Sequence, residues 1–253
     1  MMYDTTFFES QQHGARKSAS KIVPFLMEVV RPSSVIDFGC GSGTWLKVFQ
    51  DAGVKDIKGL DGSADGLELG YITEAQFEQH DLSKPVRLGR KYDLAISLEV
   101  AEHIPEPFAD VLVQSLCEAS DCILFSAAIP WQGGHAHANE QWPAYWAARF
   151  RQRGYIVCDP VRPLFWQDPD VCWWYAQNCL LYVKECRQDD YHQLGNVGLG
   201  FVSEPLPLVH PKLYERVNIQ LAFAADPEKV SFATARSLLF QVIRTGLRRR
   251  LRR

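Results

Sequence analysis

The fold of this chain is decided by the stretch Val35-Ile36-Asp37-Phe38-Gly39-Cys40-Gly41-Ser42-Gly43. Its first four residues are mostly apolar and predict a short buried strand, and the residues from Thr44 onward have the apolar spacing of a helix. A glycine-rich turn between a strand and a helix lets backbone N–H groups approach a ligand, because no side chain stands in the way. The stretch therefore predicts a site for a nucleotide-like ligand at the end of the strand.

The glycine spacing distinguishes three kinds of nucleotide site. A phosphate-binding P-loop needs GxxxxGK followed by Ser or Thr, which is absent, and a dinucleotide-binding loop needs GxGxxG. Here Gly43 comes one residue early, and Thr44 stands where the last glycine belongs. The spacing D-x-G-x-G-x-G resembles the first motif of class I S-adenosylmethionine-dependent methyltransferases. The resemblance implies that S-adenosyl-L-methionine is held by Asp37, Gly39, Cys40, Gly41 and Gly43.

Acidic residues at later strand ends support this choice. Asp61-Gly62 ends the second predicted strand about twenty residues after the loop, where a carboxylate can accept both ribose hydroxyls. Taken alone, that acid would suit NAD equally well. In the methyltransferases that the chain resembles, an acid after the third strand lies near the adenine amino group, and Asp81-Leu82 has this position. Leu98 and Glu99 end the fourth strand and are expected to lie against the cofactor.

Strand and helix patterns alternate along the chain, which favours a mainly parallel sheet covered on both faces. We predict an α/β, Rossmann-like fold with seven strands, followed by a C-terminal extension. The methyltransferase domain is expected at 1–185 and the extension at 186–253, with helices at 212–223 and 230–250 and a basic tail. The predicted strands are 35–38, 57–60, one between 77 and 82, 92–98, 122–127, 155–158 and 178–183. The predicted helices are 18–30, 44–50, 108–119 and 143–154.

The candidate catalytic residues lie after the fourth and fifth strands. Glu102 and His103 follow the fourth strand, at the edge where open parallel sheets bind ligands. His135 and His137 lie in the glycine-containing loop 129–141. A neutral histidine can take the proton of a hydroxyl as it is methylated, and we prefer His137 as this base because it is nearer the next helix, with Glu140 orienting it. Alternatively, His103 caps the following helix or packs beneath the adenosine, and the loop histidines are surface residues.

The same region raises the question of a metal. The E-x-x-E-H pattern at 99–103 resembles the ligand set of magnesium-dependent O-methyltransferases, including RNA 3′-end and ubiquinone-pathway enzymes, where a later histidine can complete the site. A divalent ion would lower the pKa of a bound hydroxyl. Metal-free methyltransferases contain the same pattern, so we assign no metal ligand. Cys172, Cys179 and Cys186 are too far apart in sequence for a zinc knuckle.

Residues 13–184 resemble a group of bacterial class I methyltransferases. The resemblance extends over 13–19, the glycine loop, 59–62, 97–103, 125–130, 137–143 and 173–178. It implies an enzyme, and we expect O-methylation of a small hydroxylated, sugar-bearing acceptor, with N-methylation, an RNA acceptor or an inactive cofactor-binding scaffold as alternatives. Trp131 departs from the glycine usual in these relatives and is expected to narrow the acceptor site. Gln177 and Asn178 are expected to face the pocket, and Arg162 to bind the acceptor.

The bulk properties restrict location and partners. A net charge of -3 makes no general case for nucleic-acid binding. No apolar run approaches the roughly 20 residues of a membrane span, and the N-terminus lacks a signal-peptide pattern, so we expect a cytoplasmic protein. Residues 244–253 contain six arginines, which could dock on anionic lipid or RNA or form a solvated terminus. The oligomeric state is not predicted.

Overall fold

An eight-stranded sheet organises the chain in the computed structural model, which describes residues 5–226 together with 232 and 236. The spatial order of the strands is β3-β2-β1-β4-β5-β7-β6-β8. The five strands from β3 to β5 pair in parallel, whereas β7 is antiparallel to both of its neighbours and β8 is antiparallel to β6. The strands are β1 (Ser34–Phe38), β2 (Asp56–Asp61), β3 (Phe77–Gln79), β4 (Leu94–Leu98), β5 (Cys122–Ser126), β6 (Tyr155–Cys158), β7 (Leu180–Lys184) and β8 (Phe201–Val202).

Helices cover both faces of this sheet. Strands β1, β4 and β5 are buried along their whole length, as expected for parallel strands covered on both sides. Val35 and Leu94 pack in one apolar cluster, and their sequence neighbours Ile36 and Ala95 pack in the other. The helices of this part are α1 (Thr5–Val29), α2 (Thr44–Asp51), α3 (Ala109–Ala119), α4 (Pro143–Arg151), α5 (Val161–Phe165) and α6 (Trp173–Asn178), with short 3-10 helices at Asp65–Leu69, Glu74–Gln76, Ala101–His103, Glu106–Phe108 and Glu185–Asn196.

The α/β, Rossmann-like architecture is confirmed, and the strand count differs by one. The additional strand, β8, is two residues long and pairs with Val157 and Cys158 of β6. So short a strand has no hydrophobic period that a sequence could show. The last strand, β7, begins at Leu180, two residues later than predicted, because Asn178 ends helix α6, which the sequence pattern did not predict.

The chain divides into two compact units, Met1–His210 and Pro211–Arg253. The segment 186–210, which we assigned to the extension, therefore lies in the first unit and contributes β8. The second unit contains α7 (Pro211–Ala225). Most of the predicted helix at 230–250, and the whole arginine-rich tail at 244–253, lie outside the described residues. Within the described residues, no helix is long and apolar enough to cross a membrane.

Candidate functional site

The glycine loop joins β1 to α2 in a conformation that only glycines adopt readily. Gly39, Gly41 and Gly43 have φ angles of 89°, 51° and 77°. A Cβ atom on Gly39 would lie 2.3 Å from Val100 Cγ2, and one on Gly43 would lie 2.8 Å from Ile72, whereas one on Gly41 would meet no atom within 4 Å. The outer two glycines thus allow close packing of the protein, whereas Gly41 is favoured by its positive φ angle alone.

A cavity of about 120 Å³ lies against this loop. It is smaller than the roughly 300–1,000 Å³ typical of ligand pockets. Two of its walls come from distant parts of the chain, Ala15 of α1 and Tyr175 of α6. The lining residues are Ala15, Asp37, Gly39, Cys40, Gly41, Ser42, Thr44, Trp45, Leu98 and Tyr175.

Two carboxylates lie beside the glycine loop. Asp37 is 3% exposed at the end of β1, and its pKa is raised well above the usual range, mainly by burial and further by the charge of Asp61. Asp61 ends β2, where Oδ2 accepts a hydrogen bond from Gly41 N at 2.8 Å and Oδ1 accepts one from Ser63 N at 3.0 Å. Burial also raises the pKa of Asp61, and these backbone donors oppose that rise. The pair forms an edge of carboxyl oxygens that suits a ligand with hydrogen-bond donors, such as ammonium or hydroxyl groups.

The third predicted acid lies elsewhere. Asp81 is exposed and accepts hydrogen bonds from the backbone N (3.0 Å) and the hydroxyl (2.6 Å) of Ser83, which lower its pKa. The side chain of Leu82 is buried in the apolar core beside Phe38 and Leu60. Neither Asp81 nor Leu82 lines the described cavity. Gly62 follows Asp61 directly, and its carbonyl accepts a hydrogen bond from Gln79 Nε2 at 3.0 Å.

Glu99 follows β4 in a left-handed backbone conformation, with φ at 56°. Its carboxylate accepts hydrogen bonds from Gln132 Nε2 at 2.8 Å and from Asn178 Nδ2 at 3.0 Å. The two amides also bond to each other at 2.9 Å, and Gln177 Nε2 donates to Gln132 Oε1 at 3.0 Å. Burial raises the pKa of Glu99 to about 7, and its amide donors oppose that rise.

A cluster near Glu99 consists of Glu102, His103 and His137. One ligand atom from each of the three lies within 4.8 Å of the others. Glu102 is 1% exposed, and burial raises its pKa well above the usual range, with the charge of Glu99 adding to the effect. Burial and the neighbouring His137 lower the pKa of His103 to about 4. Among the described residues, neither Glu102 Oε2 nor His103 Nδ1 has a hydrogen-bond partner, so the cluster contains polar atoms available to a ligand.

The loop that carries His137 is organised by Glu140. The Oε1 atom of Glu140 lies 2.8 Å from His137 Nδ1 and accepts a hydrogen bond from Gly133 N at 2.7 Å. Its other oxygen accepts from Trp131 N at 2.9 Å. One carboxylate therefore fixes the start of the loop and the orientation of the imidazole. His135, the other predicted loop histidine, is exposed and is not among the three clustered residues.

Three further predicted residues have different outcomes. Gln177 and Asn178 lie in the amide network of Glu99. Arg162 is completely buried, forms bidentate hydrogen bonds with Asp159 and donates to Leu206 O. The prediction that Arg162 binds the acceptor is therefore wrong, because its guanidinium is used inside the protein. Sequence reasoning did not assign Ala15, Tyr175 or Gln132 to the site, since all three reach it by tertiary packing.

Comparison with known proteins identifies the family. The family described as "Methyltransferase domain" matches residues 11–157, which is more than half of the chain. The chain belongs to this family and is a class I S-adenosylmethionine-dependent methyltransferase, as the glycine motif predicted. No curated protein sequence matches it.

Solved structures share the fold at low sequence identity. Streptomyces venezuelae DesVI is 17% identical, with a TM-score of 0.55 over 70% of this chain and 95% of its own. Magnesium protoporphyrin IX methyltransferase (ChlM) from Synechocystis PCC 6803, with bound SAH, is 19% identical, with a TM-score of 0.51 over 73% of this chain and 89% of its own. CalS10, an amino pentose methyltransferase from Micromonospora echinaspora, is 12% identical, with a TM-score of 0.53 over 73% of this chain and 98% of its own.

Proposed function

We propose that the enzyme methylates a hydroxyl group of a small, sugar-bearing acceptor, with His137 as the general base. The observation that carries this proposal is the 2.8 Å contact between His137 Nδ1 and Glu140 Oε1. A carboxylate at Nδ1 accepts its proton and leaves the lone pair on Nε2, which is then free to take a proton from the acceptor. The sugar-bearing character is supported by an amino pentose methyltransferase with the same fold.

The reaction we propose is a direct displacement. The acceptor oxygen attacks the methyl carbon, the carbon–sulfur bond breaks, and its electron pair remains on the neutral sulfur of S-adenosylhomocysteine. His137 Nε2 takes the hydroxyl proton, and the products are a methyl ether, S-adenosylhomocysteine and an imidazolium that Glu140 stabilises. Alignment and a base are sufficient for this chemistry.

The proposed cofactor site uses the loop and the neighbouring strand ends. Backbone groups of Gly39, Cys40, Gly41 and Gly43 would contact the methionyl part, with Asp37 near its ammonium group. Asp61 would accept the ribose hydroxyls, since a carboxylate has lone pairs beyond the two that Gly41 and Ser63 use. The remaining proposed contacts are Gly62 and Leu98. Their position at the carboxyl ends of parallel strands supports this assignment.

The test is the His137→Ala variant, with His192→Ala as the control because His192 is an exposed histidine in the 3-10 helix Glu185–Asn196. Calorimetry measures cofactor affinity, and release of S-adenosylhomocysteine from a panel of pyranosides and phenols measures turnover. We expect unchanged affinity and a loss of turnover of about 100-fold, the usual contribution of a general base. Full turnover would reject His137 as the base, and cofactor binding without turnover in the wild type on any acceptor would favour an inactive scaffold.

A second candidate is metal-assisted methylation of the hydroxyl, which the cluster of Glu102, His103 and His137 favours. Their ligand atoms lie within 4.8 Å of one another, and carboxylate with imidazole suits Mn²⁺, Fe²⁺ or Zn²⁺. In this alternative His137 is a ligand, and the ion lowers the pKa of the acceptor hydroxyl. Titration of the chelated protein with Mn²⁺, followed by electron paramagnetic resonance, tests it. If Mn²⁺ does not bind and turnover survives exhaustive chelation, the mechanism with His137 as the base is retained. If Mn²⁺ binds and Glu102→Gln abolishes this binding, the metal-assisted mechanism replaces it.

A further inference from the structure

Glu99 lies between the loop that carries His137 and helix α6, the two segments that enclose the site. Its Oε2 accepts a hydrogen bond from Gln132, in the loop that carries His137, and its Oε1 accepts one from Asn178, at the end of α6. The backbone N of Glu99 is itself held by Ser126 at the end of β5, at 3.0 Å from the hydroxyl. Glu99 thus connects the central sheet to the loop and to helix α6.

The amides around Glu99 are buried and fully engaged. Gln132 and Asn178 are each 4% exposed, and Gln177 is completely buried. Gln132 Oε1 accepts from both Asn178 and Gln177, and Gln177 Oε1 accepts from the backbone N of His210 at 2.8 Å. Buried polar networks of this kind favour one arrangement of the surrounding segments, because any other arrangement leaves buried polar groups without partners.

Helix α6 also reaches the cofactor cavity. Tyr175 lines that cavity, and its ring packs edge-on against Trp45 of α2 at a centroid distance of 5.3 Å. Residues of one short helix therefore touch both the cavity and Glu99. A change in the position of α6 when the cofactor enters would be transmitted to Gln132, and through it to the loop.

We propose that Glu99 is a positioning residue that fastens the loop carrying His137 to helix α6, so that the acceptor loop becomes ordered when the cofactor cavity is filled. The left-handed backbone of Glu99 supports this role, since non-glycine residues keep such a conformation where the surrounding structure requires it. The ordering of the loop does not depend on the proposed role of His137 as the base. Only the expected loss of turnover in the variants rests on that proposed function.

The test compares Glu99→Gln with the wild type by hydrogen exchange, with and without S-adenosylhomocysteine. In the variant, one oxygen becomes an NH₂ group that faces an amide donor, so one hydrogen bond is lost while the size of the side chain is kept. We expect exchange of the amides at 131–142 to become about tenfold faster. We expect S-adenosylhomocysteine to protect this loop in the wild type and not in Glu99→Gln, while cofactor affinity changes by less than about twofold.

A matched pair of glutamine variants controls for general destabilisation. Gln132→Ala removes the link on the loop side and should reproduce the faster exchange at 131–142, whereas Gln114→Ala, at an exposed position of helix α3, should not. Where an acceptor is known, both network variants should lower kcat with little change in the KM for the cofactor. Unchanged loop exchange together with weaker cofactor binding in Glu99→Gln would overturn the proposal and make Glu99 a cofactor contact. Unchanged exchange in both network variants would also overturn it.

Discussion

The imidazole of His137 fills the space that any side chain on Gly134 would need. A Cβ atom on Gly134 would lie 2.1 Å from His137 Nε2, the nitrogen to which we assign proton transfer. The glycine is therefore required by the position of the ring, and its φ angle is not among the positive ones.

Gly134→Ala is predicted to displace the imidazole without disturbing the cofactor site. A shift of about 1 Å at a reacting group costs about 100-fold in rate, so turnover should fall by this order while cofactor affinity measured by calorimetry is retained. Gly89→Ala is the control, since a Cβ there meets no atom within 4 Å. Normal turnover in Gly134→Ala would show that the position of His137 does not limit the reaction.

Asp61→Asn is predicted to weaken binding of S-adenosylmethionine. The carboxylate of Asp61 accepts from Gly41 N and Ser63 N, and an NH₂ group in place of either oxygen would face a backbone donor. The variant loses a hydrogen bond that anchors the glycine loop and an acceptor for the ribose hydroxyls. Together these losses should raise the Kd for S-adenosylmethionine by about tenfold or more. Asp56→Asn, at the other end of β2, should leave the Kd unchanged. Equal affinity for wild type and Asp61→Asn would exclude Asp61 from the cofactor site.

Replacement of Trp131 by glycine is predicted to stabilise the protein. Gln132 N donates to Ile129 O at 3.0 Å, which closes a turn in which Trp131 has φ at 69° and an indole that is 84% exposed. Glycine adopts this conformation without strain, so the free energy of unfolding should rise by roughly 1 kcal/mol. Trp131→Ala keeps the strain and should not show this gain. If the indole contacts the acceptor, both variants should raise the acceptor KM.

Glu99 is predicted to make stability fall as the pH rises. Its pKa increases from 4.5 to about 7 on folding, so its favourable contribution is fully present below pH 4.5 and is lost as the pH rises to about 7. His103 acts in the opposite direction, because its pKa falls from 6.5 to about 4. Urea unfolding of wild type and Glu99→Gln cancels the effect of His103, which both contain; the variant also removes the Glu99 charge that raises the pKa of Glu102, which acts in the same direction. The variant should gain stability relative to wild type between pH 4.5 and 7, and a constant difference would contradict the assigned pKa.

The local part of the site could be predicted from sequence. The strand, glycine loop and helix from 34 to 51 are contiguous, and the glycine spacing reflects the positive φ angles that the backbone adopts there. Asp37 was predicted from the glycine motif and Asp61 from its position at the end of the second strand, and the structure brings the two carboxyls together because parallel strand ends meet at one edge. The imidazole–carboxylate pair of His137 and Glu140 is only three residues apart and was equally accessible.

The rest of the site depends on contacts between residues that are far apart in the sequence. The amide partners of Glu99 are 33 and 79 positions away, and no periodicity relates them. The error at Arg162 could have been avoided, because Asp159 lies three residues earlier and is a natural partner for a buried guanidinium. Asp81 has the expected sequence position, but its carboxylate bonds to the adjacent Ser83 and lies outside the cavity lining.

The small cavity beside the glycine loop has a kinetic consequence. Ala15 covers it from α1, and that helix is held by Ser18 Oγ, which accepts from Cys172 N at 2.9 Å, and by the close approach of Gly14 to Cys172 Sγ. We expect these contacts to open when the cofactor enters and again when S-adenosylhomocysteine leaves. Departure of the spent cofactor should therefore limit steady-state turnover, and rapid mixing should show a burst of one methylated product per enzyme before the slower steady rate.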